Sequence, residues 1–218
     1  MTTIIIADDH QLLRESISSL LREVPNFNIV SQCENGRQLL KEVEQLRPNV
    51  VVTDITMSEL NGIDATRQIR KISPGTRVVA LSVHAEETYI RDMIDAGISG
   101  YVVKSGAAAD LVAAIRSGSR GKVYFSREIS DTAQKIQNKD GGYRHKTACS
   151  PEKTLTGRER EILQLIGEGC SSVQIANKLY ISESTVKTHR NNLMDKLDVR
   201  DVAGLTRNAI RLKLVYVE

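Results

Sequence analysis

The sequence predicts a doubly wound α/β domain with a five-stranded parallel sheet, followed by a small all-α domain of four helices. Three observations carry this. Five short Ile/Val-rich runs alternate with segments of helical periodicity through the first half of the chain. Most of these runs are continuously apolar, as strands covered on both faces should be. After Leu155 only helical spacing remains.

The elements follow in order. Ile4-Ile5-Ile6-Ala7 reads as the first strand, and Gln11 to Glu23 as a helix carrying Leu13, Ile17, Leu20 and Leu21. Phe27 to Val30 is the second strand, and Leu39, Leu40, Val43 and Leu46 mark the second helix. Asn49 to Asp54 is the third strand, followed by a helix from Gly62 to Lys71. Val78 to Ser82 is the fourth strand; its helix spans Thr88 to Ala96 and is closed by Gly97. Gly100 to Val103 is the fifth strand, and Asp110 to Ser117 the fifth helix. The pattern fails from Ser126, so residues 126–150 read as a linker, with Glu128 to Asn138 spaced for one short helix. Residues 151–218 then hold four helices. Thr156 and Glu159 fit a capping box on the first, Ser171 or Ser172 caps the second, Ser182 the third, and Asp201 opens the fourth.

Composition bounds the function. The chain has 218 residues, 40% hydrophobic and 26% charged, which is ordinary for a globular protein. Net charge is only +3, but it is unevenly placed: residues 1–125 hold 14 basic and 15 acidic side chains, 126–150 hold 5 and 3, and 151–218 hold 11 and 9. A nucleic-acid surface, if present, is therefore one helix face with no broad basic patch behind it. Zero Trp and 4% aromatics disfavour a stacking platform for single strands. No membrane-spanning run and no secretory n-region are present. Cys33, Cys149 and Cys170 are scattered, without metal or redox spacing. A cytoplasmic protein with reduced thiols is the expectation.

The strand ends carry the chemistry. Asp8 and Asp9 follow strand one, Asp54 ends strand three, Ser82 ends strand four, and Lys104 follows strand five. Right-handed crossovers bring these ends to one edge of the sheet, where such folds bind ligands. Converging carboxylates repel one another unless a hard cation neutralises them, and oxygen ligands with room for water suit Mg²⁺. Metal, hydroxyl and lysine together can offset charge on a transferring phosphoryl group. Singly, such an Asp is usually a cap and such a Lys a solvated charge; the joint placement argues for a site. No GxGxxG, GxxxxGK[ST] or GxSxG sequence is present.

The segments IIIADDH, VVVTDITMSELNGIDATRQIR, VVALSVHAEE and GYVVKSG, in that order, resemble a two-component response-regulator receiver domain with a flavodoxin-like sheet, over about residues 1–125. The resemblance implies phosphorylation of Asp54 by a histidine kinase. It implies Mg²⁺ on Asp9, Asp54 and the backbone carbonyl of Thr56, with Asp8 assisting. Ser82 and Lys104 match the switch hydroxyl and the pocket lysine, and Tyr101 matches the switch aromatic, with a plain sheet-edge aromatic as its bland alternative. Two positions depart from the family: Ser58 and Ser105 stand where proline is common.

In the helical half, Val186, Leu193 and Leu197 share one face of the third helix. Ser184, Lys187, Thr188, Asn191 and Asp195 lie on the opposite face. Except for Asp195 this face is neutral or basic and rich in donors for phosphates and base edges. LTGREREILQLIGEG and VQIANKLYISESTVKTHRNNLMDKL resemble the LuxR-type helix-turn-helix domain of the NarL/FixJ response-regulator group, over about 155–212. The resemblance implies that Lys187, Thr188 and Asn191 face bases of double-stranded DNA. Thr185, His189 and Arg190 would touch the backbone or pack at its border. The final helix would form a homodimer. Val173-Gln174 stand where the family often has a basic residue. Phosphate on Asp54 would draw Ser82 and Tyr101 inward and shift the face near helix four and strand five, releasing or dimerising the helical domain. A helical domain that binds protein or RNA stays open as an alternative, and an enzyme beyond phosphoryl acceptance and slow hydrolysis is a poor third.

Overall fold

The computed structural model describes residues 1–106, 108–140 and 155–215. Strands β1 (Thr2–Ala7), β2 (Phe27–Cys33), β3 (Val50–Thr53), β4 (Arg77–Ser82) and β5 (Gly100–Val103) alternate with helices α1 (Gln11–Arg22), α2 (Gly36–Leu46), α3 (Gly62–Ile72), α4 (Glu87–Ala96) and α5 (Ala108–Ser119). All strand pairings are parallel, and the sheet order is β2-β1-β3-β4-β5-β6, where β6 is Tyr124–Phe125. The order reverses between β1 and β3, which is the topological switch point of this sheet.

Successive strand residues face opposite layers. Ile4, Ile6, Val50, Val52, Val79, Leu81 and Val102 join Ile17, Leu21, Leu111 and Ile115 of α1 and α5 in one core layer. Ile5, Val51, Val78 and Tyr101 alternate with them, and all are 0–1% exposed. Asn35 and Asn61 cap α2 and α3 by accepting from Gln38 N and Asp64 N, and Gly97 ends α4 in the left-handed region.

The sheet carries a sixth strand beyond the five that the sequence predicts. β6 pairs with β5 through Gly100↔Tyr124 and Tyr101↔Phe125. A 3-10 turn, Arg127–Ile129, and helix α6, Ser130–Asp140, follow, and α6 lies against α4. Ile129, Ala133 and Ile136 are 0–1% exposed, so the short helix predicted at Glu128–Asn138 has a buried apolar stripe. Two residues leave no periodicity to read, which is why β6 escaped prediction. The rest of the predicted linker, with Cys149, and residues 151–154 at the start of the helical domain lie outside the described residues.

The chain divides into two units, Met1–His145 and Lys146–Glu218. The second holds α7 (Gly157–Gly167), α8 (Ser172–Leu179), α9 (Glu183–Leu197) and α10 (Val202–Arg211). Both capping boxes close, Thr156 with Glu159 and Ser171 with Gln174. Val186, Leu193 and Leu197 of α9 are buried with Leu163, Ile175, Leu205 and Ala209, so the predicted apolar face is the core face. Glu159, 4% exposed, also receives Lys196 Nζ at 2.8 Å. Those bonds, against the cost of burial, hold its carboxyl below the usual range.

Candidate functional site

The sheet ladder sets the pocket. Asp8 N donates to Cys33 O at 3.1 Å, Asp54 N to Ala7 O at 2.8 Å, and Lys104 N to Ser82 O at 2.8 Å, so adjacent strands end in register at one edge. There Lys104 Nζ lies 2.8 Å from both Asp8 Oδ2 and Asp54 Oδ2. Both carboxylates are 2% exposed. Asp54 Oδ1 accepts from Ile55 N at 2.7 Å, and Oδ2 also accepts from the Thr56 hydroxyl at 3.2 Å. Burial pushes the Asp54 carboxyl above its ordinary range, Lys104 opposes that, and Asp8 adds to it. Burial works to lower the Lys104 ammonium, but Asp54 and Asp8 outweigh it and raise it.

Asp9 is more open, its side chain 34% exposed. Ligand atoms of Asp8, Asp9, His10 and Asp54 lie within 4.8 Å of one another. Three carboxylates, two of them buried, form a hard-oxygen donor set that fits Mg²⁺. His10 was not singled out from the sequence. The group of Thr56 seen on Asp54 is its hydroxyl.

Ser82 is fully buried, and its Oγ accepts from His84 N at 3.1 Å. Tyr101 is fully buried too, rather than an edge aromatic; its hydroxyl donates to His84 O at 2.7 Å, and burial drives that phenol's pKa up. The His84 ring stacks on Tyr89 of α4, centroids 4.3 Å apart and planes 18° from parallel. One backbone residue thus joins both switch candidates to α4. Nothing in the sequence marked His84, because its link runs through main-chain atoms.

Without proline at Ser58, the loop after Asp54 is held by burial of Met57 and Leu60, 4% and 1% exposed. The turn Leu60 N to Ser58 O, 2.7 Å, and Glu59 at φ 63° complete it.

On α9, Ser184, Lys187, Thr188, Asn191 and Asp195 are exposed, while Thr185, His189 and Arg190 are half-buried. Arg190 Nη1 donates to Ser172 Oγ at 2.8 Å, a packing contact between α9 and α8. Lys187 pairs with Glu183 at 3.0 Å, and Thr188 Oγ1 donates to Ser184 O at 3.1 Å. Val173 and Asn177 face outward from α8, and Tyr180, at the turn after it, is 94% exposed and left-handed.

A family model described as the response regulator receiver domain matches residues 4–116, just over half the chain. The chain belongs to the response regulators. A second family model, bacterial regulatory proteins of the luxR family, matches residues 153–209 of this response regulator. It is 35% identical over 208 residues to the transcriptional regulatory protein DegU of Brevibacillus brevis, covering 91% of this chain and 88% of that one. It is 33% identical over 198 residues to the response regulator protein VraR of Staphylococcus aureus, covering 91% of each. These relatives place it in the NarL/FixJ group. Among solved structures, RcsB of Salmonella typhimurium aligns with TM-score 0.57 and 28% identity, over 96% of this chain and 98% of that one. An RcsB–DNA complex aligns with TM-score 0.58 and 27% identity, over 94% and 96%. Among the described residues, no helix of the response regulator is long and apolar enough to cross a membrane.

Proposed function

We propose that this response regulator accepts a phosphoryl group on Asp54 from a histidine kinase and, so modified, controls transcription by binding double-stranded DNA through α9. The observation that carries the reading is the Lys104 bridge between two buried carboxylates, 2.8 Å to each, at the strand ends of a receiver sheet. Residues 1–125 would do the receiver chemistry and residues 151–218 the DNA binding, with 126–150 between them.

Asp8, Asp9 and Asp54, with the Thr56 carbonyl, would hold Mg²⁺, which supplies charge neutralisation at the transferring phosphoryl oxygens. A carboxylate oxygen of Asp54 attacks phosphorus, and the bond from phosphorus to the kinase histidine breaks. The Lys104 ammonium, already on Asp54 Oδ2, is placed to leave that oxygen for a phosphoryl oxygen. Ser82 would turn its hydroxyl from His84 N to the phosphoryl group, and Tyr101, bonded to His84 O, follows the same backbone. Tyr101 O accepts from Ser126 N at 2.9 Å, so the movement reaches β6 and α6. A local charge event thereby biases a packed element. Slow hydrolysis of the acyl phosphate resets it, and no other catalysis is assigned. The protein would act in the cytoplasm, as a homodimer through α10 when phosphorylated or on DNA.

Asp54→Asn is expected to abolish labelling by a small phosphodonor with Mg²⁺; continued labelling overturns the assignment. For the output face, the support is the exposure of Lys187, Thr188 and Asn191 in a LuxR-type domain, and the likeness to a chain solved as an RcsB–DNA complex. Lys187→Ala is expected to weaken operator binding and to lower the slope of log affinity against log salt by about one. Unchanged affinity at every salt concentration would show that α9 does not touch DNA there.

A further inference from the structure

His10 occupies the N-cap position of α1 and caps nothing: its side chain makes no bond to the first-turn amides. That position favours Ser, Thr, Asp or Asn, whose oxygens accept those amides. The imidazole is turned toward the acidic pocket instead, with Nδ1 3.0 Å from Asp9 Oδ1 and 3.2 Å from Asp8 Oδ1. The residue is pinned there by its own N–H, which donates to Asp8 Oδ1 at 2.8 Å. Asp8 thus divides its carboxylate, Oδ2 to Lys104 and Oδ1 to His10. The pocket has a lysine side, where a phosphoryl group would sit, and an imidazole side, where Asp9 lies. Ligand atoms of Asp8, Asp9, His10 and Asp54 fall within 4.8 Å of one another, close enough to share one ion.

We propose that His10 Nδ1 is a ligand in this pocket and that it shifts the site's preference from Mg²⁺ toward first-row transition dications such as Co²⁺, Ni²⁺ or Zn²⁺. The proposal rests on the reading of the pocket as a divalent-cation site. Carboxylates alone suit Mg²⁺, whereas imidazole suits the later metals and adds little for Mg²⁺. Coordination needs the neutral ring with its lone pair on Nδ1, so the ring proton shifts to Nε2. The side chain is 67% exposed, so solvent can carry that proton.

The test is titration of the full chain with Co²⁺ and, separately, with Mg²⁺, for the wild type, His10→Gln and Asp9→Asn. The Gln variant removes no helix cap and leaves the backbone bond to Asp8 in place. Co²⁺ affinity is expected to fall about tenfold or more in His10→Gln, while Mg²⁺ affinity holds within about twofold. The visible Co²⁺ absorption should change as a nitrogen ligand is lost. Asp9→Asn should weaken both metals, which locates them in this pocket rather than at His84 or His189. Equal Co²⁺ affinity and an unchanged spectrum in His10→Gln overturn the proposal while leaving the Mg²⁺ site standing. A wild type that binds no Mg²⁺ instead overturns the cation site on which it rests.

Discussion

Lys104→Met is expected to cost the receiver domain about 3–5 kcal/mol at neutral pH, the usual loss when one partner of a buried ion pair is removed. The lysine side chain is 11% exposed, and the two carboxylates that it bridges are 2% exposed. Methionine fills much of the same volume, so the loss is electrostatic: Asp8 and Asp54 are left facing each other with no cation between them. The pH dependence separates this from a packing defect. In the wild type the Lys104 ammonium is raised above its ordinary value. Its contribution is therefore fully present below the ordinary lysine range and lost only as pH rises through the raised folded value. The variant lacks that alkaline step. On the acid side the wild type already has a step, because burial raises the Asp54 carboxyl; without the ammonium that opposes this the carboxyl rises further, so the variant's deficit shrinks as pH falls toward the carboxylate range. A divalent cation can supply the missing charge, so Mg²⁺ should stabilise the variant more than the wild type. Mass action sets the scale, about 2.7 kcal/mol at a hundredfold excess over Kd. Urea unfolding at neutral and mildly acid pH, with and without Mg²⁺, measures each arm. A variant as stable as wild type at neutral pH would show that the bridge offsets no buried charge.

How far the site was legible in the sequence depended on which atoms make it. Strand-end residues are fixed by topology, so Asp8, Asp54 and Lys104 could be placed at one edge from apolar runs alone, and the structure sets both carboxylates 2.8 Å from the Lys104 ammonium. The different burial of the two Asp side chains was not legible. The resemblance gives Asp9 the metal and Asp8 an assisting part; in the structure Asp8 is the buried partner of Lys104 and Asp9 is 34% exposed. A one-residue difference at a strand end decides which carboxylate turns inward, and composition does not encode it. His84 was invisible because it acts through N–H and C=O, which every residue has. The five longer strands were readable because Ile and Val recur. β6 was not, since Tyr124-Phe125 is held by pairing with β5 rather than by a pattern of its own. On α9, helical periodicity separated the exposed Lys187, Thr188 and Asn191 from buried Val186, Leu193 and Leu197. It also left Arg190 near the boundary, where it packs on Ser172.

Gly62→Ala is expected to slow phosphorylation of Asp54 about 10–100-fold, although residue 62 touches no phosphoryl group. A β-carbon built on Gly62 falls 2.0 Å from the Asp54 carbonyl oxygen, and 3.0 Å from both the Asp54 carbonyl carbon and Ile55 Cα. All three are main-chain atoms, so no rotamer change relieves the overlap. The backbone cannot simply back away either. Gly62 N donates to Ile55 O at 2.8 Å, and Asn61 caps α3 at Asp64 N, 2.9 Å. The start of α3 is therefore tied to the phosphoacceptor strand end at a distance that only a hydrogen side chain permits. Relief requires Asp54 and Ile55 to shift, and Ile55 N is the donor that orients Asp54 Oδ1 at 2.7 Å. A displacement of about 1 Å at that point moves the nucleophile off line and lengthens its bond to Lys104. Stability should fall as well, by about 1–3 kcal/mol, as for other overpacked sites. Gly75→Ala supplies the contrast, because a β-carbon there meets nothing within 4 Å; its labelling rate should match wild type. If Gly62→Ala took up phosphate as fast as Gly75→Ala, the loop after Asp54 would have to be pliant enough to absorb a methyl group, and the rigid positioning of Asp54 argued from Met57, Leu60 and Gly62 would fail.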